Sequence, residues 1–98
     1  MPRLHIALQN GFGGVPVAIK VDGREVFRKD AVRTRTQIGL ADSIEVTCER
    51  GPVAVDVTAG DASGSIAATV DNDLYLSISL SPEQRIVHNT SQTPFRYM

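Results

Sequence analysis

Hydrophobic residues in this chain recur at every second position, in one short run after another. Leu4/Ile6/Leu8, Val15/Val17/Ile19/Val21, Val32/Thr34/Thr36/Ile38, Ile44/Val46/Cys48, Val53/Val55/Val57, Ile66/Ala68/Val70 and Leu74/Leu76/Ile78/Leu80 each place one set on one side of an extended backbone, with mostly polar residues between. Successive side chains of a strand point to opposite faces, so each run reads as a strand buried on one face. A helix would need apolar residues three and four apart, and no stretch sustains that spacing. Half-buried strands of this kind belong to antiparallel sheets packed face to face. The expected fold is an all-β, antiparallel two-sheet β-sandwich, immunoglobulin-like, transthyretin-like or jelly-roll-like, with roughly seven to nine short strands. Only Ser81-Pro82-Glu83-Gln84 has the residues to open a helical turn, so at most one short turn of helix is expected.

The turn residues fall between these runs: Asn10-Gly11-Phe12-Gly13-Gly14, Asp22-Gly23, residues 39–43, Glu49-Arg50-Gly51-Pro52, residues 60–64 and Asp71-Asn72-Asp73. A spacing of roughly ten residues between turns suits a sandwich. Directly opposed residues of an antiparallel pair share a face, which makes register a matter of counting. A type I′ turn at Asp22-Gly23 sets Lys20 opposite Glu25, Ile19 opposite Val26 and Ala18 opposite Phe27. The same register carries Arg28 onto the core side opposite Val17, so the strand is expected to end or bulge near Arg28. Reading residues 66–78 as a hairpin with the loop Asp71-Asn72-Asp73 sets Val70 against Leu74, Ala68 against Leu76 and Ile66 against Ile78. That loop would hold one residue at positive φ.

A chain of 98 residues supports one core. Residues 1–98 are therefore read as a single domain, with residues 91–98 as an aromatic C-terminal tail. Lys and Arg total 10 and Asp and Glu 11, a formal charge of −1 that gathers neither nucleic acid nor anionic lipid. No apolar run is long enough to span a bilayer, and the run Leu4–Leu8 is too short for a signal peptide. Cys48 is the single cysteine, which rules out an internal disulfide and fits a reducing, cytoplasmic setting. Its alternation with Ile44 and Val46 points its side chain into the core.

The chemistry-bearing residues do not assemble into a catalytic set. Histidine occurs only at positions 5 and 88, and no Ser or Cys is placed by sequence beside a His with an orienting carboxylate. Gly60-Asp61-Ala62-Ser63-Gly64 has no helix to enter, as a nucleophile elbow requires. His5, His88 and Cys48 lack the close-spaced pair of a metal site. No catalytic residue, cofactor or metal ligand is expected. Asp56, Asp61, Asp71 and Asp73 lie in a stretch, residues 51–84, without Lys or Arg. Carboxylates in loops suggest an alternative function, a calcium- or carbohydrate-binding sandwich, although Asp and Asn are also ordinary turn residues. Lys20, Arg24, Arg28, Lys29, Arg33 and Arg35 form the opposite asymmetry, a solvated basic face or a complement to the acidic part of another copy.

Two features stand out as partner-binding candidates. Phe12 is a lone ring between Gly11 and Gly13-Gly14, placed either to anchor its loop or to meet a partner. The tail ends in Phe95, Arg96, Tyr97 and Met98, residue types enriched where protein surfaces meet. The expected function is a non-catalytic protein-interaction or self-assembly module. It would work through its sheet edges, tail and Gly-rich loop, with a second copy or another protein as partner.

Overall fold

The computed structural model describes residues 2–34 and 41–91. Eight strands make up the described chain: β1 (Arg3–Leu8), β2 (Gly13–Val21), β3 (Arg24–Arg33), β4 (Asp42–Thr47), β5 (Gly51–Ala59), β6 (Ala62–Val70), β7 (Leu74–Leu80) and β8 (Ile86–Ser91). They form two four-stranded sheets, ordered β4-β1-β7-β8 and β3-β2-β5-β6, packed as a two-sheet β-sandwich. Every pair is antiparallel except β1 with β7, which runs parallel with Leu4, Ile6 and Leu8 beside Leu74, Leu76 and Ile78. Among the described residues no helix is long and apolar enough to cross a membrane.

The period-two runs account for the core. Leu4, Ile6 and Leu8 of β1, Val17, Ile19 and Val21 of β2, Val53, Val55 and Val57 of β5 and Leu74, Leu76, Ile78 and Leu80 of β7 are all buried. These come from the two inner strands of each sheet. Burying one such side chain is worth about 1.5–3 kcal/mol, so most of the stabilisation lies along β1, β7, β2 and β5. The outer strands contribute less evenly. Ile66 and Val70 of β6 are buried, whereas Ile44 and Val46 of β4 and Val26 and Phe27 of β3 are only partly so.

The Asp22-Gly23 turn has positive φ at both positions, 51° and 83°, as a type I′ hairpin requires. Val21 opposes Arg24 and Lys20 opposes Glu25, but the ladder then slips: Ile19 faces Phe27, Ala18 faces Arg28 and Val17 faces Lys29. The bulge thus falls at Val26, two residues before the expected place, and the expected pairs Ile19–Val26 and Ala18–Phe27 do not form. The physical reason is legible in the result. Residues three apart normally point to opposite faces of a strand, and the extra residue brings Glu25 and Arg28 to one side, where Arg28 donates to the Glu25 carboxylate. Arg28 is thereby kept out of the core. A second shift, between the Val17–Lys29 and Val15–Val32 pairs, returns Val32 to the buried side.

Residues 66–78 are not a hairpin. β6 pairs with β5, and β7 lies in the other sheet between β1 and β8, so Asp71-Asn72-Asp73 carries the chain across the sandwich. None of the three has positive φ. The apolar faces of β6 and β7 look into the same core either way, which is why counting alone favoured the hairpin. The true hairpin before β6 turns on Gly60-Asp61 and closes on Ala59 opposite Ala62, so Ser63 and Gly64 are strand residues and not loop. Ser81-Pro82-Glu83-Gln84 is a hairpin turn and not helix: Gln84 N–H donates to Ser81 O at 2.9 Å, Ser81 N–H to Arg85 O at 2.9 Å, and Gln84 sits at φ 62°. It leads into β8, a strand that the apolar pattern does not mark. Thr36 and Ile38 lie outside the described residues, and Val32 and Thr34 belong to the end of β3 and the residue after it.

Candidate functional site

A four-on-four sandwich has two open sides, one where β3 lies near β4 and one where β6 lies near β8. On the first, β3 is interrupted by three register shifts against β2 and carries Arg24, Glu25, Arg28, Lys29, Asp30 and Arg33. Lys29 Nζ reaches across to Asp42 Oδ2 on β4 at 3.2 Å, bridging the two sheets. A groove on this side is lined by Val21, Arg24, Val26, Val46 and Cys48. Cys48, one residue beyond β4, is half-buried there and packs against the core, on the side that its alternation with Ile44 and Val46 predicts. Desolvation raises its thiol pKa above the ordinary value, helped by the charges of Asp22 and Asp73.

The second side differs in kind. β6, Ala-Ser-Gly-Ser-Ile-Ala-Ala-Thr-Val, has no charged residue and pairs with β5 over nine successive positions without a shift. A two-residue hairpin closes on a pair that exchanges both hydrogen bonds, here Ala59–Ala62, and bonded pairs then alternate. Ala62, Gly64, Ile66, Ala68 and Val70 therefore bond inward to β5. Ser63, Ser65, Ala67 and Thr69 turn their N–H and C=O groups outward, and no described residue pairs with them. Pro52, which has no N–H to donate, sits opposite Thr69, a position where β5 needs none. The side chains of Ser63, Ser65, Ala67 and Thr69 are small and exposed. Nearby β8 is also free of Lys, Arg, Asp and Glu, and its Val87 is 49% exposed.

The two edges pack closely at Gly64 and Ile86. A Cβ on Gly64 would lie 3.1 Å from Ile86 Cβ, so the missing side chain is what lets Ile86 settle over β6. Beyond it a shallow groove runs between the sheets, lined by Pro52, Ala68, Leu74, His88 and Thr90.

A third arrangement lies on the outer face of the β1 sheet. Because β1 is held between β4 and β7, His5 stands beside Glu45 and Tyr75. Its Nδ1 is 3.3 Å from Glu45 Oε1, its Nε2 is 3.2 Å from Asp73 Oδ2, and its ring stacks on Tyr75 at 4.3 Å between centroids. Arg3 completes the cluster, with its N–H 3.0 Å from Asp73 Oδ1 and its guanidinium 3.4 Å from Glu45 Oε2. The Arg3 backbone N–H, and after it the His5 side chain, hold the Asp73 carboxyl below its ordinary pKa. Sequence reasoning missed this grouping, since only the insertion of β1 brings residues 3, 5, 45, 73 and 75 together.

Of the residues expected to bind a partner, Phe12 takes the loop-anchor placement. It is 3% exposed and part of the core. Thr34 holds it there: Phe12 N–H donates to Thr34 Oγ1 at 3.0 Å, Thr34 Oγ1 donates to Gln9 O at 2.6 Å, and Thr34 N–H donates to Phe12 O at 2.7 Å. Gly11 makes the tight approach possible, at φ +88° with its missing Cβ only 1.7 Å from where Leu80 O lies. A ring enclosed in this way is not offered to a partner. Phe95, Arg96, Tyr97 and Met98 lie outside the described residues. Comparison with family models, with curated proteins and with solved structures found no match for the chain.

Proposed function

We propose that this chain is a non-catalytic protein-interaction module that takes up an extended strand from a partner along β6. One observation carries the reading: the outward backbone groups of Ser63, Ser65, Ala67 and Thr69 form an unpaired ladder on a strand with no charge and no bulge. Sheet edges of this kind template further pairing, which is why most are blunted by charge, twist or cover. Main-chain hydrogen bonds then supply affinity and the alternate side chains supply selection. The near-neutral total charge favours a protein partner over nucleic acid or a membrane surface. A single cysteine suits a cytoplasmic setting.

The calcium or carbohydrate alternative has less behind it. Both Asp73 carboxylate oxygens already accept, one from Arg3 N–H and one at the His5 ring, so the acidic loop does not offer them freely. Millimolar calcium is expected to leave the melting temperature unchanged.

Amide hydrogen exchange in dilute protein tests the strand-uptake reading. Ser63, Ser65, Ala67 and Thr69 should exchange fast while Gly64, Ile66 and Ala68 exchange slowly, an alternation that a free edge alone produces. Slow exchange at all seven positions in a monomer means that the edge is already occupied by its own chain, and the reading fails.

A further inference from the structure

We infer that the strand taken up by β6 is β6 of a second copy, antiparallel and related by a two-fold axis through Ile66. This rests on the reading of β6 as a strand-accepting edge and names its partner.

The argument begins with parity. The residues with free backbone groups are Ser63, Ser65, Ala67 and Thr69. A two-fold through Ile66 maps that set onto itself, with Ser63 opposite the partner's Thr69 and Ser65 opposite the partner's Ala67. Every outward N–H and C=O of the strand then finds a counterpart. Moving the axis to Ser65 sets Thr69 against the partner's Asp61, and moving it to Ala67 sets Ser63 against the partner's Asp71. Both placements waste one end of the ladder on a turn or crossover residue.

Side chains agree with this register. The exposed row would join Ser to Thr and Ser to Ala, all small and uncharged. The core-facing row would bring Ile66 beside the partner's Ile66, a β-branched cross-strand pair that favours pairing, and Gly64 beside the partner's Ala68, two small residues. One cost remains, Asp61 opposite the partner's Asp71 at each end. Both are exposed, so salt screens that repulsion while the hydrogen bonds of the ladder persist.

Charge complementarity by itself suggests a different contact, with Asp61 and Asp71 at the two ends of β6 of one copy set against the basic β3 of the next. That contact is heterologous and would propagate as an open fibre. It also requires β3 to offer a regular ladder, which its three register shifts deny. The two-fold arrangement closes after two copies. A strand laid on β6 also meets β8, because Ile86 sits over Gly64 at that edge and the groove beside it is lined by Ala68, His88 and Thr90.

The full chain is tested by sedimentation over a range of concentration, with amide exchange measured in the same samples. Dimers are expected, with protection at Ser63, Ser65, Ala67 and Thr69 rising as dimer accumulates. Ala67→Lys, at an exposed position, should weaken dimerisation roughly 100-fold by placing like charges near the axis, while leaving the monomer's melting temperature intact. Higher salt should tighten association of the unmodified chain. Spin labels on single cysteines in a Cys48→Ser background locate the axis. Labels at 63 and at 69 should give equal separations of about 20 Å along the strand, and labels at 65 and 67 equal and much shorter ones. A monomer at all concentrations with fast-exchanging edge amides overturns the second copy and leaves strand uptake from another protein standing. A monomer with slow edge amides overturns both. A dimer unaffected by Ala67→Lys, or with unequal 65 and 67 separations, overturns this pairing.

Discussion

On the side where β3 meets β4, the rows that face inward are, Val32 apart, only half-buried: Val26 and Phe27 from one sheet, Ile44 and Val46 from the other. The Lys29–Asp42 bridge spans the gap and β3 is broken by bulges. On the side where β6 meets β8, Ile66 is 3% exposed and Val70 is fully enclosed, and the strand is regular throughout. The first side is held by charge and irregularity and the second by packing, and the two have opposite consequences for association. Charges and bulges leave a poor template for another strand. Packing against Ile86 stabilises β6 from its inner face only and leaves the outward half of its backbone bare. An edge can be well packed and still unsatisfied, because side-chain burial and backbone pairing are separate requirements.

The largest effect that sharpens this contrast is expected in the core row. Ile66→Ala should cost about 2–5 kcal/mol in urea unfolding, since the cavity sits where β6 is enclosed. Phe27→Ala, on the half-buried row of β3, removes a larger ring yet should cost less, about 1–2 kcal/mol, because that ring is only partly buried. Equal costs would mean that both sides are closed by packing alike. Next in size is Gly64→Val, which drives a side chain into Ile86 and should cost about 1–3 kcal/mol by overpacking. Gly13→Ala at the other side, where nothing lies within 4 Å of the new Cβ, should change stability by no more than about 0.5 kcal/mol.

The parts of this contrast differ in how far they can be read from sequence. The buried rows of β1, β2, β5, β6 and β7 follow from period-two spacing, because burial on one face is a local property of each strand. The type I′ turn at Asp22-Gly23 is equally local. What escapes is whatever depends on which strands become neighbours. Asp71-Asn72-Asp73 serves a crossover as well as a hairpin, and the apolar faces of β6 and β7 are satisfied by both. β8 shows no run of its own, because an edge strand with Val87 outward and His88 and Thr90 beside an open groove has little need of one. The Val26 bulge is half-legible: Arg28 signals that something must yield, but not that Val26 will. The bare edge of β6 is visible as a residue list and invisible as an edge until β5 is known to be its only described neighbour.

A smaller effect is expected at the bridge across the guarded side. Lys29 and Asp42 side chains are 53% and 30% exposed, so their pairing is screened and costs side-chain freedom to hold. Lys29→Ala should lower stability by less than about 1 kcal/mol at low salt, and by nothing measurable at high salt. Its informative readout is association. If the bridge and the charges around it guard this side, Lys29→Ala combined with Arg28→Ala should make the chain more prone to oligomerise in sedimentation. Unchanged sedimentation would assign the guarding to the bulges alone.

The last test concerns the polar cluster that runs from β4 on the guarded side to the connection leaving β6. Asp73 has its pKa lowered from 3.8, first by the Arg3 backbone N–H and then by the His5 side chain. A carboxyl with a lower pKa in the folded chain than in the unfolded one adds stability that is present above the unfolded value. That contribution is lost as pH falls through the folded value. Between neutral pH and about 4 the unmodified chain should therefore melt above Asp73→Asn, and the gap should close as pH falls below the ordinary carboxyl range. A gap that stays constant into acid would place the benefit in something other than the Asp73 charge. The location of the loss is the sharper observation. Asp73 ties the connection leaving β6 to Arg3 and His5 of β1, whereas β6 itself is held by Ile66 and Val70, which carry no charge. Amide exchange, corrected for its intrinsic pH dependence, should show acid exposing the Arg3 amide, which donates to Asp73, before the amides that bond β6 to β5, so that the cluster opens first and β6 keeps its packing.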